Sequence, residues 1–295
     1  MHFDLADLRL IAAIAESGSL SKAAASFPVA VSAASTRLRQ FEERSGVTLF
    51  SRRADGMQLT PGGRLVLESA RGVLGEARKL EDTLKELAGQ KRLTLHLAAS
   101  TVTNSTILPT VLGPFLFDYP EIDLHLVEHK SVDILRMVQA GECEIGVYDG
   151  NLVNEGVVSV PFRTERLVLL VPAAHALAQH EQLHLHDVLG YSFVCLPAER
   201  AMQRFVEEKA MSLSMPLKVR VRAPGFEAIA QLVAQGAGIA MLPETTARRL
   251  EQELPVRWVA LEEHWATLEL RICFRQWETL SSHGRQLVTF LSGHQ

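Results

Sequence analysis

Residues 26–46 read SFPVAVSAASTRLRQFEERSG, and this stretch decides the fold of the first part of the chain. Pro28 forces the residue before it out of the helical region, so it separates a short alanine-rich helix from a longer one. Leu38 and Phe41 recur at helical spacing on the longer helix, and Gly46 ends it. The opening turns of that helix carry small and hydroxyl side chains where a core helix would carry leucine. The pattern indicates a polar face that another molecule can approach closely, or a helix that is simply solvated.

The residues before this stretch supply two more helices. Asp4 is a suitable cap for the first helix, with Asp7 at the third helical position. Gly18 suits the left-handed residue that ends this helix, and Ser19 caps the second. The predicted inward face of the first helix comprises Leu5, Leu8, Ile11, Ala12 and Ala15. Three helices, the last two separated by a tight turn, are the elements of a helix-turn-helix.

Two short β-prone runs follow the third helix. They are VTLFSRR at 47–53 and QLT at 58–60, and they flank an Asp55-Gly56 pair that favours a tight turn. The two runs and the turn between them predict a hairpin wing.

A long helix is predicted after the wing, from Thr60 and Pro61 to Gly89. Its surroundings in the sequence offer little for an apolar stripe to pack on. We therefore expect a helix from a second copy to cover the stripe, and the alternative is a monomer in which the stripe packs on the chain's own body. The stripe consists of Leu65, Leu67, Leu74, Leu80, Leu84 and Leu87.

From Leu93 onward, strands alternate with helices. LTLHLAAS and CEIGVYD bracket a first series, a similar series runs to GIAMLP, and LELRICF and an amphipathic helix at 279–292 close the chain. Such alternation predicts parallel strands in an α/β layer. The two series form only a coarse echo of two halves, with no exact repeat at the level of residues.

Composition limits the class of protein. The chain has 295 residues, enough for two or three domains, and 47% of them are hydrophobic, enough for a sizeable core. Cys143, Cys195 and Cys273 are an odd, scattered set, which favours reduced, buried thiols over a disulfide framework or zinc site. The chain begins with acidic residues and contains no apolar stretch of membrane-spanning length. We expect a cytoplasmic protein with no membrane partner.

Charge is distributed unevenly. Through Arg92 there are 14 Lys and Arg against 11 Asp and Glu, a net charge of +3, while the remaining residues carry 16 and 23, a net charge of −7. A mildly basic first part on an acidic body is compatible with nucleic-acid binding.

Motifs of several enzyme classes are missing. The sequence contains no GxSxG, no Walker loop, no GxGxxG after a strand and no HExxH, so neither an enzyme nor a cofactor is expected. His184 and His186 are spaced to hold a metal from a strand, but no third ligand is evident nearby, and we interpret them as solvated.

Ordered motifs follow one another along nearly the whole chain. The first part contains LADLRLIAAIAESGSLSKAAASF, SAASTRLRQFEERSGVTLFSR and LTPGG, in that order. The body contains LPTVLGPFLFDYPEIDLHLVE, GECEIGV, RLVLLVPAAHALA and GAGIAMLP. In these motifs the chain resembles the LysR-type transcriptional regulators. A match of this length and order is specific, whereas a single helix-turn-helix pattern is not.

The resemblance implies a multi-domain α+β fold. We expect a winged helix-turn-helix at 1–62, a dimerising linker helix at 63–90 and an effector domain at 91–295 like the periplasmic solute-binding proteins. Lobe I of that domain is expected to span 91–162 and 267–295, and lobe II 163–266.

The sequence departs from the family where the recognition helix begins. Ala30-Val31-Ser32 stands in place of a Ser-Gln-Pro-like run. Ala30 cannot cap the helix, a loss of ~1 kcal/mol. Val31 can neither donate nor accept a hydrogen bond, so we expect an apolar contact there, such as one to a thymine methyl group.

A helix in the major groove needs short side chains near the bases and longer donors at its flanks. Arg37 is expected to contact a base, or else a phosphate, while Arg52 and Arg53 are expected to contact phosphates. The alternative is that these are ordinary solvated residues. The expected DNA-binding residues are Val31, Ser32, Ala33, Ser35, Thr36, Arg37, Arg39, Arg52, Arg53 and Thr60.

The two lobes that the resemblance implies, joined by crossing segments, form a cleft at the carboxyl ends of the strands, where ligands bind in open α/β folds. The body is expected to bind a small, anionic metabolite there. Hydroxyl groups and backbone N–H groups at 99–104 suit a carboxylate, or serve only as helix caps. Gly225 and Phe226 lie in a stretch that resembles the family's helix beside the pocket. The expected effector-binding residues are Ser100, Thr101, Thr103, His129, Tyr148, Cys195, Gly225 and Phe226.

The expected partners follow from the same reading. They are double-stranded operator DNA, a small-molecule effector, further copies of the chain as a dimer and then a tetramer, and RNA polymerase. The first alternative is a sequence-tolerant DNA-binding protein whose body is a ligand-free scaffold. The second is an enzyme that converts a small molecule.

Overall fold

The three helices predicted at the start of the chain are α1 (Leu5–Ser17), α2 (Leu20–Ala25) and α3 (Val31–Ser45). They are seen in a computed structural model that describes residues 3–27, 30–53, 56–88, 93–150, 152 and 156–293, with the backbone alone at 79, 82, 83, 85–87 and 93. The chain forms two units: Met1–Leu93 with Gln139–Cys143, and Thr94–Val138 with Glu144–Gln295.

The predicted helix caps are confirmed. The Asp4 carboxylate accepts a hydrogen bond from the Asp7 N–H at 2.9 Å, and the Asp7 carboxylate accepts one from the Asp4 N–H at 3.1 Å. Gly18 has the left-handed conformation at the end of α1, Ser19 caps α2, and Ala30 makes no side-chain cap for α3. These local hydrogen bonds fix where each helix starts, which is why sequence alone locates them.

The predicted inward face of α1 is wrong at its first residue. Leu5 is exposed, while Leu10 and Ile14, which the prediction omitted, are buried with Leu8 and Ile11. The helix packs against both the neighbouring helices and the long helix below, so it buries a wider stripe than the prediction allowed.

The wing is an antiparallel pair, β1 (Phe50–Arg53) and β2 (Gly56–Leu59), with Arg53 opposite Gly56. Gly56 therefore lies in a strand and not in the turn, and Asp55 lies outside the described residues. A side chain at Gly56 is excluded, because its Cβ would lie 2.5 Å from the Gly18 carbonyl oxygen and the backbone φ is +131°.

The long helix α4 spans Pro61–Leu87 and is capped by Thr60, whose hydroxyl oxygen accepts a hydrogen bond from the Gly63 N–H at 2.9 Å. Its apolar residues divide between two faces. Leu67 is buried in the core of the first unit and Leu74 packs partly against that core. On the other face Leu65, Val73, Leu80 and Leu84 are exposed, and the side chain of Leu87 lies outside the described part of the chain.

The second unit contains two lobes. The first lobe contains β3 (Leu93–Ala99), α5 (Leu108–Asp118), β4 (Ile122–Glu128), α6 (Ser131–Ala140), β5 (Ile145–Asp149) and α11 (Ser282–Ser292). The strand β6 (Val158–Pro172) then runs from the first lobe into the second. The second lobe contains β7 (Gln182–Leu183), α7 (Leu185–Val188), β8 (Ser192–Cys195), α8 (Ala201–Ser212), β9 (Lys218–Arg222), α9 (Phe226–Ala234), β10 (Ala240–Pro243), α10 (Glu244–Glu253) and β11 (Val256–Leu261). The strand β12 (Thr267–Phe274) returns to the first lobe.

Parallel pairing holds for β3 with β5, β8 with β9, and β7 with β11. It does not hold for the crossing strands, because β12 is antiparallel to both β5 and β6, and β10 and β11 are antiparallel to β6. A chain that leaves a lobe and returns must run in both directions, so the prediction of parallel pairing is wrong for the crossing strands. Among the described residues, no helix is both long and apolar enough to cross a membrane.

Candidate functional site

The outward face of α3 is made of small and polar side chains. Ala34, Leu38 and Phe41 are buried and hold the helix on the core of the first unit. Because residues three and four apart share a helix face, the exposed residues form one continuous strip along the opposite side. The strip consists of Val31, Ser32, Ala33, Thr36, Arg39, Gln40, Glu43 and Arg44, with Ser35 half-buried at its edge.

Arg39 extends from this strip into solvent. Its side chain is 70% exposed and forms a loose ion pair with Glu43 one turn later, at 3.7 Å. An exposed i, i+4 pair of this kind contributes little to stability and is easily exchanged for another anion. Arg39 is therefore available to an incoming phosphate or base edge.

Arg37 is held differently. Its Nε atom donates a hydrogen bond to the Asp7 carboxylate at 2.6 Å, and its terminal nitrogen donates to the Asp4 carboxylate. Arg44 lies 4.0 Å from the same Asp7 carboxylate, which is almost completely buried. The pKa of Asp4 is lowered, first by the hydrogen bond from the Asp7 N–H and then by the bond from Arg37. Arg37 thus joins α3 to the start of α1.

Three further residues expected at the DNA lie on the wing and after it. Arg52 and Arg53 are exposed on β1, where a phosphate backbone could reach them. Thr60 is half-buried and its hydroxyl is committed, because it donates to the Thr48 carbonyl at 2.7 Å while accepting from the Gly63 N–H. The position of Thr60 is thus fixed by its role as a helix cap.

The second unit encloses a cavity of about 430 Å³ between its lobes. The first lobe contributes the ends of β3 and β5 and the start of α6, and the second lobe contributes one face of α8 and the residues before β12. The polar lining residues are Ser100, Thr101, Lys130, Ser131, Asp149, Glu208 and Thr267. The apolar lining residues include Val102, Val132, Leu152, Leu167, Met202, Phe205, Trp265 and Leu268.

The hydroxyl of Thr101 connects the two lobes. It donates a hydrogen bond to the Glu128 carboxylate at 2.7 Å and accepts one from the Met202 N–H at 3.2 Å. Glu128 also pairs with Arg200 of the second lobe at 2.9 Å. These contacts fix one arrangement of the lobes around the cavity.

Asp149 lies at the end of β5 and lines the cavity. The Ser131 hydroxyl donates a hydrogen bond to its carboxylate at 3.0 Å, and the Asp149 N–H donates to the same hydroxyl oxygen at 3.2 Å. Burial raises the pKa of Asp149, and the Ser100 and Ser131 hydroxyls act in the opposite direction. A desolvated carboxylate of this kind is typical of binding sites.

The structure brings only two of the predicted effector residues, Ser100 and Thr101, to the cavity. Thr103 is fully buried behind them, with its hydroxyl 3.1 Å from that of Ser100. Tyr148 points away from the cavity, because its hydroxyl lies 2.9 Å from that of Ser159, and His129 is exposed on the loop after β4.

The remaining predicted effector residues lie in the second lobe, outside the cavity lining. Cys195 is buried in the core, where burial raises the pKa of its thiol to about 11. Phe226 is buried in the same core, and Gly225 precedes it at the start of α9. The carboxyl ends of the strands in this lobe thus do not all reach one cleft.

Sequence reasoning missed Asp149, Lys130 and the α8 residues Met202, Phe205 and Glu208. The alternation of side chains along β5 could have pointed to Asp149, because Val147 and Asp149 lie on the opposite face of the strand from Tyr148. Choosing Tyr148 selected the face turned away from the cavity.

His184 and His186 stack on one another at 5.5 Å between ring centroids, and each faces carboxylates. Within the described ranges no group of three or more His, Cys, Asp and Glu side chains is arranged to hold a metal ion.

Comparison with known proteins gives matches along the whole chain. Residues 5–64 match the model of the bacterial regulatory helix-turn-helix protein, lysR family, and residues 88–295 match the LysR substrate binding domain. A protein of Synechocystis sp. described as a probable RuBisCO transcriptional regulator is 28% identical over 265 residues, covering 88% of this chain and 76% of that relative. A protein of the same description from Cyanophora paradoxa is 26% identical over 275 residues, covering 91% and 83%.

Solved structures show the same fold. The LysR family transcriptional regulator CbnR gives a TM-score of 0.63 at 19% identity, covering 99% of both chains. Full-length CbnR complexed with its target DNA gives 0.58 at 18% identity, covering 99% of this chain and 98% of that one.

Proposed function

Because the chain belongs to the LysR family of DNA-binding transcriptional regulators, we propose that it binds specific operator sites as a homodimer and responds to a small molecule held between its lobes. Members of this family are regulators and not enzymes. The strip of small and polar side chains on α3 is the observation that carries the DNA-binding part of the proposal. A core helix would bury such a face, and here it is exposed.

In this proposal α3 lies in the major groove. Ser32, Ala33 and Thr36 allow close approach of the helix to the base edges, and Arg39 and Gln40 donate hydrogen bonds to bases. Gln40 was not among the residues predicted from sequence. Arg52 and Arg53 on the wing bind phosphates, which fixes the register of the helix and makes the affinity depend on salt.

The exposed apolar face of α4 supports the dimer. Leu65, Leu80 and Leu84 are each more than half exposed, and a surface of this kind on a soluble helix is normally covered by a partner. The occupant we propose is α4 of a second copy, because two copies provide the paired recognition helices that adjacent major grooves require. We further propose that two dimers form a tetramer and that the promoter-bound assembly contacts RNA polymerase in the cytoplasm.

The domain boundaries follow the same proposal. The winged helix-turn-helix comprises 1–62, the linker helix 63–90, and the effector domain 91–295. Lobe I of that domain comprises 91–162 with 267–295, and lobe II comprises 163–266.

The decisive test measures fluorescence anisotropy of labelled fragments from the region upstream of the protein's own gene against scrambled sequence. Arg39→Ala should weaken specific binding by ~1–3 kcal/mol and reduce the preference for the specific fragment. Arg136→Ala is the matched control, because Arg136 is also 70% exposed and loosely paired with a carboxylate, but lies in the second unit. Equal affinity for native and scrambled fragments under every condition would overturn the proposal.

A sequence-tolerant DNA-binding protein with a scaffold body is the second candidate. A partly polar cavity of about 430 Å³ argues against a scaffold, since protein interiors without a binding role are normally close-packed. The same anisotropy experiment separates the two candidates, because only a specific regulator distinguishes the two fragments.

A further inference from the structure

The charges that line the cavity do not balance. Lys130 forms an ion pair with Glu208 across the lobes at 3.4 Å, so each neutralises the other. Asp149 has no such partner, because none of the described lysine or arginine side chains forms an ion pair with it. The cavity therefore holds one uncompensated carboxylate.

The Asp149 carboxylate is held by a neutral donor. Ser131 donates to it at 3.0 Å, while the Ser100 hydroxyl lies 3.1 Å from the Thr103 hydroxyl. One hydroxyl donor leaves most of the acceptor capacity of a carboxylate unused. Because a partly desolvated anion is stabilised most by a cation, the free capacity points to a positively charged donor.

The groups expected to bind an anion are already engaged. The Thr101 hydroxyl is committed to Glu128 and to the Met202 N–H, and the Lys130 ammonium group is neutralised by Glu208. A ligand carboxylate would thus enter next to Asp149 and would have to displace Glu208 from Lys130 to gain a cation. Repulsion between two carboxylates in a partly desolvated site disfavours that arrangement.

The rest of the cavity is apolar and partly aromatic. Phe205 and Trp265 lie with ring centroids 5.7 Å apart, and Val132 and Leu268 also line the cavity. This aromatic pair already accepts one cation, since the Lys209 ammonium group lies 5.1 Å from the Phe205 centroid. The wall suits a hydrophobic body, and a cationic head group is compatible with its rings.

We propose that the cavity takes a small molecule with an apolar body and one ammonium group, and that Asp149 binds the ammonium group. The inference rests on the proposed function in taking this cavity as the effector site. It replaces the anionic metabolite expected from the sequence with a ligand of the opposite charge.

Calorimetry on the full chain at neutral pH tests the proposal with two sets of probes that share a body and differ in the head group. The first set is 2-phenylethylamine, 2-phenylethanol and 3-phenylpropionate, and the second is tryptamine, indole-3-ethanol and indole-3-propionate. In at least one set the amine should bind at least 10-fold more tightly than the carboxylate, with the alcohol between them. Asp149→Asn, which keeps the size of the side chain, should abolish this preference.

Asp133→Asn is the control, because it removes a carboxylate in the same way, while Asp133 pairs with Arg136 at 3.5 Å and is not among the residues that line the cavity; it should leave the preference within about threefold. Tighter binding of the carboxylates, a preference that survives in Asp149→Asn, or no binding of either amine at 10 mM would overturn the inference. If Asp149→Asn does not fold, the head-group comparison on the native chain still decides. If a carboxylate binds and Val132→Trp blocks that binding, the ammonium ligand is refuted but the cavity remains the effector site. DNA binding, which tests the proposed function, is measured separately.

Discussion

Replacing Arg37 by alanine should destabilise the first unit more than it alters base recognition. The substitution removes the hydrogen bond to Asp7, whose carboxylate is 5% exposed, and the bond to Asp4. Hydrogen bonds to charged groups contribute ~1.5–3 kcal/mol, and the Arg37 side chain is 39% exposed, so water replaces part of that. A loss of about 1–2 kcal/mol remains. Asp7 keeps the Asp4 N–H as a donor, which prevents a larger loss.

Differential scanning calorimetry of the full chain should show the transition of the first unit lowered by about 5–10 °C in Arg37→Ala. Arg39→Ala is the control from the same helix and should leave this transition within about 2 °C, since surface substitutions change stability little. The paired variants Asp7→Ala and Arg37→Ala should show a coupling energy of at least ~1 kcal/mol in a double-mutant cycle.

The effect of Arg37 should also depend on pH. Because the folded-state pKa of Asp4 lies below the ordinary value of 3.8, the stability that its pair contributes is present above that value and is lost as pH falls through the lowered pKa. The difference between the native chain and Arg37→Ala should therefore shrink in acid. An Arg37→Ala protein that melts like the native chain but loses only specific DNA binding would refute this account and make Arg37 a base contact.

Three further predictions concern other parts of the chain. Leu80→Glu places a charge on the exposed face of α4, so sedimentation velocity should show the dimer dissociation constant raised at least 10-fold, and an unchanged dimer would contradict the proposed interface. Gly63→Ala should cost ~1–3 kcal/mol in denaturant unfolding because its Cβ would lie 2.1 Å from the Leu49 carbonyl oxygen, whereas Gly113→Ala, with open space around it, should stabilise by ~0.5–1 kcal/mol. Cys195, whose pKa is about 11, should be ~0.1% thiolate at pH 8 and react with Ellman's reagent only after unfolding, so rapid reaction of the folded chain would show the thiol to be accessible.

The local features of the fold could be predicted from sequence because their causes are local. The capping box of Asp4 and Asp7 and the left-handed Gly18 each depend on residues within one turn, and the structure confirms them. The partner of Arg37 could not be predicted in the same way. Asp7 lies 30 positions earlier in the chain, and only the packing of α3 on α1 brings the two together.

The cavity shows the same limit at the level of the site. The sequence correctly predicted a cleft between two lobes, and Ser100 and Thr101 line it. It could not tell which face of β5 points toward the cavity, because Ile145, Val147 and Tyr148 are all buried and only tertiary packing decides which face lines the cavity. A shift of one residue along a strand exchanges Tyr148 for Asp149, and with it a neutral phenol for a carboxylate.

The energy needed for switching favours a ligand that uses both the carboxylate and the apolar wall. A ligand changes DNA binding only if it binds two arrangements of the lobes unequally, and moving the balance from 1:99 to 99:1 takes about 5.5 kcal/mol of differential affinity. One charge-assisted hydrogen bond to Asp149 supplies ~1.5–3 kcal/mol, which is not enough. Burying an aromatic body of ~150 Å² against Phe205 and Trp265 adds about 4 kcal/mol at 25 cal/mol per Å². The lobes are already joined through Thr101 and Glu128, so a ligand that formed only the polar contact would leave their arrangement largely unchanged, whereas one that also fills the apolar space can move the equilibrium.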